Sequence, residues 1–167
     1  RATAKEAAQG QVCDPGNDNG GGQVVVSGNK EAVDRAVEIA KGKGAKRAML
    51  LPVSAPFHCS LMQPAADAMA DALSKVTISK PAVPLVSNVL ASAVSDPEEI
   101  RRCLIEQVTG TVRWRESVAY MAGEGVTKFF EIGGGKVLTG LVKRSADGAT
   151  GVSVGSPADI ATAKAAV

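Results

Sequence analysis

One side chain in the sequence carries the chemistry of a general base near neutral pH. It is His58, the only histidine, in the run "LPVSAPFHCSLM" at residues 51–62. A neutral imidazole has a reference pKa of about 6.5 and can take or give a proton at pH 7. Pro56 stiffens the approach to it, and Phe57 supplies a bulky apolar wall beside it. The apolar run before His58 reads as a strand, and the run after it reads as a helix. A strand-to-helix junction is where α/β sheets place their reactive side chains. The same position suits an ordinary structural histidine, and the residue types alone leave both readings open.

Three other patterns invite chemistry and fail on context. "GGGK" at residues 133–136 lacks the rest of a phosphate loop: Phe130 stands where the first glycine belongs, and Val137 where Ser or Thr belongs. The dinucleotide fingerprint breaks at Leu138. Both this triplet and the one at residues 20–22 therefore read as tight turns. "GVSVG" at residues 151–155 fits the three-letter pattern of a nucleophile elbow around Ser153. Its lead-in "ADGAT" is not a buried strand, Pro157 follows closely, and His58 precedes it where a hydrolase histidine would follow.

The elements that must position His58 can be read from periodicity. Residues 1–10 end a helix at Gly10. "QVCDPG" and "GQVVVSG" read as strands joined by a turn, and residues 30–43 as an amphipathic helix with Ala32, Val33, Ala36, Val37 and Ala40 inward. "KRAMLLPVS" reads as a buried strand. Around residues 61–76 a helix is expected, with Met62, Ala66, Met69, Leu73 and Val76 as its buried stripe and Ser60 with Gln63 as a capping box. "VPLVSNV" reads as a strand limited by Pro81 and Pro84. Asp96, Pro97 and Glu99 open a helix whose inner face is Ile100, Leu104, Ile105 and Val108. A helix over 114–123 follows. The strand "TKFFEIG", the helix "KVLTGLVKRS", the strand "TGVSVG" and the helix "PADIATAKAAV" close the chain. Strands alternating with helices predict an α/β layered fold. A split βαβ piece over residues 1–46 hands over near Lys46 to a larger body over 47–167.

Composition narrows the partners. The 167 residues carry a net charge of +2 with no block of like charge, and only 3% are aromatic. That gives no stacking platform for single-stranded nucleic acid, and nucleic acid is not expected as a partner. No apolar run reaches the length of a membrane span. The three cysteines Cys13, Cys59 and Cys103 form no CxxC and suit a reducing, cytosolic setting. One histidine with no clustered cysteine predicts no transition-metal site.

Four segments together carry a resemblance. "LPVSAPFHCSLMQPAADAMADAL" is similar to the active-site histidine segment of malonyl-CoA:acyl-carrier-protein transacylases. "GGGQVVVSGNKEAVDRA", "IEQVTGTVRWRESVAYM" and "FFEIGGGKVLTGLVKR" resemble further signatures of that family, in order and across nearly the whole chain. The resemblance implies an α/β-hydrolase-like acyltransferase body with an inserted ferredoxin-like subdomain, each present in part. It implies malonyl transfer from malonyl-CoA to the phosphopantetheine thiol of acyl carrier protein by a ping-pong serine acyl-enzyme, in fatty acid biosynthesis in the cytoplasm. The coenzyme A thioester is a substrate, and no cofactor is implied.

Carried over residue by residue, His58 matches the catalytic base. Gln107 matches the residue whose backbone carbonyl accepts a hydrogen bond from the other ring nitrogen of the histidine, the task of the aspartate in a Ser-His-Asp triad. Asn88 matches an asparagine near the active site and is expected, with Phe57, to be substrate-binding. Phe57 matches the position that crowds a branched α-carbon, so malonyl is favoured over methylmalonyl. The family's Gly-His-Ser-Leu-Gly elbow, its arginine for the malonyl carboxylate and its oxyanion-hole glutamine have no match here. The chain opens on Arg1, and the expectation is a C-terminal part of the enzyme, inactive by itself.

Two departures stand out. The loop Asn17-Asp18-Asn19-Gly20-Gly21-Gly22-Gln23 lacks the family's aromatic and proline and is expected to be looser. Gly134 replaces a proline, at a cost in rigidity and not in chemistry. Arg113, Arg115, Lys143 and Arg144 are candidates to meet an acidic carrier protein, and a solvated helix face explains them equally well. Alternatives are an acyltransferase domain of a polyketide synthase, a thioester hydrolase, or a non-catalytic carrier-binding fragment.

Overall fold

The structure, a computed structural model, describes residues 2–166. The expected first and last helices also took in Arg1 and Val167, which lie outside the described residues. The chain is mixed α/β.

The first unit is α1 (Ala2–Ala8), β1 (Cys13–Asp18), β2 (Val24–Gly28) and α2 (Lys30–Gly42). The strands pair antiparallel, with a bulge between Pro15 and Asn17. Ala4 and Ala7 of α1, Cys13 of β1, and Ala32 and Ala36 of α2 form a buried core, with Ala8, Val26 and Ile39 packed against it. Small residues at the contacts let the two helices approach closely. The Arg35 guanidinium donates to the carbonyl oxygens of Ala7 and Ala8, satisfying the open end of α1.

Residues 46–54 depart from expectation. They form no strand, and Met49, Leu50, Leu51 and Val53 are about half exposed. An apolar run becomes a strand only when its backbone groups find a partner, and no described strand pairs with it. The chain then turns through a 3-10 turn (Ser60–Met62) into α3 (Gln63–Ser74). The Ser60–Gln63 capping box is not made: Met62 is the N-cap and gives no side-chain bond. Only Ala66 of the expected stripe is buried, while Met69 and Val76 are exposed. Arg101 reaches back to the carbonyl oxygens of Leu73 and Val76 and closes the end of α3.

The "VPLVSNV" strand shrinks to β3 (Leu85–Val86), paired antiparallel with β4 (Ala93–Val94). Asp96 caps α4 (Pro97–Glu106), accepting bonds from the backbone N–H groups of Glu98 and Glu99. Ile100 and Cys103 are the buried residues of this helix. Then come α5 (Trp114–Gly123), β5 (Lys128–Ile132), α6 (Val137–Ser145), β6 (Thr150–Val154) and α7 (Asp159–Ala165). β5 and β6 pair in parallel, and α6 supplies the crossover that a parallel pair needs.

The first unit is tied to the rest at β1. Asn17 bridges Val112 in parallel, Val112 N–H donates to Gly16 O, and Thr111 Oγ1 donates to Pro15 O. Asp18 accepts from the Arg115 guanidinium, with the closest contact at 2.9 Å. The loop expected to be looser is a tight hairpin, with φ of 76°, 57° and 79° at Gly20, Gly21 and Gly22. A methyl on Gly20 would lie 3.0 Å from Ser145 Oγ, and one on Gly21 3.2 Å from Arg144 Cδ. Glycine supplies both the left-handed backbone and the close approach.

Candidate functional site

His58 sits in the turn between the extended segment and the 3-10 turn, so no strand leads into it. Its backbone is left-handed, with φ of 61°, which is uncommon for a residue with a side chain. The next residue anchors the turn. Cys59 is fully buried, its Sγ lies 3.1 Å from Pro56 O, and its carbonyl accepts from Met62 N–H. Burial pushes the Cys59 thiol above its usual value of 9.0, as expected for a sulfur packed inside the turn.

The Nδ1 atom of His58 lies 2.8 Å from the main-chain oxygen of Gln107. A carbonyl oxygen can only accept, so Nδ1 carries the proton and Nε2 presents its lone pair. Gln107 is the C-cap of α4. The carbonyls at a helix end have no intrahelical partner and carry the negative end of the helix dipole. The end of α4 thus supplies, from backbone alone, an acceptor where a triad would hold a carboxylate.

Asn88 lies in the turn between β3 and β4. Its Nδ2 donates to Gln107 Oε1 at 2.8 Å. His58, Gln107 and Asn88 are therefore joined in one chain of hydrogen bonds, although 49 positions separate the first two. Phe57 stands beside them, about half exposed. Its carbonyl is close to Gly16 of β1.

Sequence reasoning missed two contributors. Gly16 gives β1 the clearance to pass under Phe57 and His58; its signal was a glycine inside a strand pattern. Arg113 is the other. Its Nη1 donates to Val89 O and to Leu90 O, each at 3.0 Å, and its guanidinium pairs with Glu116. As a possible carrier contact Arg113 is thus already engaged inside the fold, and Arg115 is engaged with Asp18. A basic residue at a helix start reads from sequence as surface charge. Ser153 lies within β6 and its Oγ donates to Gly135 O, so it does not stand in an elbow. Among the described residues, no cluster of His, Cys, Asp and Glu is arranged to hold a metal ion, and no helix is long and apolar enough to cross a membrane.

An acyltransferase-type α/β chain with a carbonyl-oriented histidine is what this fold and geometry resemble. Over 159 residues, 95% of the chain, it is 49% identical to the malonyl CoA-acyl carrier protein transacylase of Escherichia coli strain K12, covering 52% of that protein. Identity is 44% over 144 residues to the transacylase of Bacillus subtilis strain 168, covering 45% of it. The crystal structure of acyl-carrier-protein-S-malonyltransferase from Bartonella henselae superposes with a TM-score of 0.93 at 50% identity, over 99% of this chain and 52% of that one. A malonyl-transacylase solved with a type II polyketide acyl-carrier protein gives 0.94 at 43% identity, over 99% of this chain and 54% of that one. No family model matches the chain. Nearly the whole of this chain is thus similar to malonyl CoA-acyl carrier protein transacylases, and it spans about half the length of the curated relatives it matches.

Proposed function

We propose that this chain is the histidine-bearing part of a malonyl-CoA:acyl-carrier-protein S-malonyltransferase of fatty acid biosynthesis, acting in the cytoplasm without a cofactor. The observation that carries the reading is the 2.8 Å bond from His58 Nδ1 to the Gln107 carbonyl, which leaves Nε2 free as a base. The 49% identity over 95% of the chain supports it.

In the first half-reaction, Nε2 of His58 takes the proton of a serine hydroxyl as its oxygen attacks the malonyl thioester carbonyl. The C–S bond breaks, and the leaving coenzyme A thiolate takes the proton back from Nε2. In the second, Nε2 takes the proton of the carrier's pantetheine thiol. Its sulfur attacks the malonyl-serine ester, and the serine oxygen leaves with the proton. The serine is not among the residues of this chain, which by itself is expected not to turn over. The finer architecture belongs to the same proposal: residues 1–46 are the remaining part of a ferredoxin-like subdomain, and residues 47–167 are part of a hydrolase-like body.

The test uses the full-length protein that contains this chain. Mixed with malonyl-CoA it should form a covalent malonyl-enzyme and pass the group to acyl carrier protein. His58→Ala should lower transfer by about 10²–10⁴-fold, the range a positioned base contributes. Near-normal turnover in that variant removes His58 from the mechanism. Absence of any malonyl-enzyme in the wild type leaves the non-catalytic carrier-binding reading.

A further inference from the structure

Gln107 is the vulnerable link in the arrangement of His58. Helix ends fray, and the carbonyl that meets the imidazole belongs to the last residue of α4. A carbonyl that swings away releases the ring and lets either nitrogen carry the proton. Two features hold it. The next peptide N–H, that of Val108, donates to Ile105 O at 3.1 Å and fixes the plane of the Gln107 carbonyl from one side. The Gln107 side chain is held from the other by Asn88 Nδ2, at 2.8 Å.

Asn88 is itself held. Its own carbonyl accepts from Arg113 N–H at 3.0 Å, and the Arg113 guanidinium takes the carbonyls of Val89 and Leu90. One arginine residue thus satisfies three consecutive carbonyls of the β3–β4 turn. The turn also contains Ala91 in a left-handed conformation, with φ of 54°, and a bond from Ala91 N–H to Ser87 O. A short two-residue ladder could not hold this turn alone. Glu116, in the first turn of α5, steadies the guanidinium.

We infer that Asn88, carried on a turn that Arg113 clamps, is a positioning residue: through the Gln107 side chain it holds the main-chain carbonyl that fixes the tautomer of His58. The inference rests on His58 being the base of the transfer reaction. It assigns Asn88 no contact with substrate, and it assigns Arg113 a task inside the protein.

The experiment reads the imidazole directly. In the ¹⁵N-labelled full-length protein, the long-range ¹H–¹⁵N signals of His58 are assigned by their loss in His58→Gln. In the wild type, Nδ1 should read as protonated and Nε2 as bare. In Asn88→Ala the two nitrogen shifts should move toward each other as the tautomers mix. In the same variant kcat should fall about tenfold, the scale of one lost hydrogen bond, with KM for malonyl-CoA within about twofold. Gln107→Met keeps the main-chain carbonyl, removes the side-chain acceptor, and should reproduce both effects. The double variant should be no worse than the worse single, because both remove one interaction. Arg113→Lys should move the shifts in the same direction. Unchanged shifts in folded Asn88→Ala or Gln107→Met overturn the inference, as does a raised KM with unchanged kcat. If the tautomers mix as expected but the wild type transfers no malonyl group, the positioning holds and the reading of the reaction fails.

Discussion

Gly16 of β1 passes directly beneath the turn that carries His58. A methyl group on Gly16 would lie 3.3 Å from the Phe57 carbonyl oxygen and 3.6 Å from His58 Cβ. The first unit and the histidine turn therefore share a close contact, in which a methyl group would crowd the Phe57 carbonyl and just touch His58.

Gly16→Ala tests that contact. The new methyl also meets Ser27 Oγ at 2.9 Å, which a rotation of the serine relieves, whereas the Phe57 backbone must move by a few tenths of an ångström. Overpacking of this kind costs about 1–3 kcal/mol. Made in the full-length protein, the variant should fold, lose stability in urea on that scale, and lose several-fold in kcat for the proposed transfer as the imidazole shifts. Wild-type kcat combined with wild-type stability would show that the clearance is immaterial.

In the full-length protein, Phe57→Ser tests substrate choice in the proposed transfer. The side chain is about half exposed, so its removal should change stability by less than about 1 kcal/mol. The ratio of kcat/KM for malonyl-CoA to that for methylmalonyl-CoA should fall. An unchanged ratio means that another residue crowds the branched carbon.

Asp96→Ala removes the cap of α4, the helix whose far end presents the Gln107 carbonyl. Loss of a capping carboxylate costs about 1 kcal/mol, or roughly 2–4 °C in Tm for a chain of this size. Asp96→Asn retains an acceptor and should recover most of the loss. Equal melting of the two variants would locate the effect in charge and not in the cap.

Glu131 gives a pH signature. Thr139 Oγ1 and the backbone N–H of Thr139 donate to its carboxylate, and Leu138 N–H adds a third bond. These bonds, that of the Thr139 hydroxyl foremost, hold the carboxyl below its usual value of 4.5. The folded state then binds this proton less readily than the unfolded state. Its stabilising contribution is complete above pH 4.5 and is lost as the pH falls through the lower folded value. Glu131→Gln should therefore be less stable than wild type at pH 7, and the gap should narrow below pH 4.5 in urea titrations. A gap that is constant across pH 7 to 3 would exclude this linkage.

Local chemistry decided most of the element order. The Asp96–Pro97–Glu99 start, the Gly10 stop and the stripe of α2 act within one or two turns of chain. The cap and the stop appear where their residues put them, and of the α2 stripe Ala32 and Ala36 are buried while Val33, Val37 and Ala40 are half-buried. The β5–α6–β6 unit was legible for the same reason. Expectations failed where an element depends on a distant surface. Residues 46–54 and the outer part of α3 have apolar patterns that mark a face to be covered, and a pattern cannot say what covers it. With no described partner, the first stays out of any sheet and Met69 and Val76 stay exposed.

The site divides along the same line. The sequence by itself singled out His58 through its chemistry, and the family motifs added Gln107, Asn88 and Phe57. Only the tertiary structure closed the 2.8 Å bond from His58 to Gln107, because it joins a turn to a helix end 49 positions away. Only the tertiary structure turned the Asn88 side chain onto Gln107, enclosed the Arg113 guanidinium among carbonyls, and brought Gly16 under His58. Residue types set which groups can donate, accept or take a proton. Which of them meet is set by how the elements pack, and that information is spread over the whole chain.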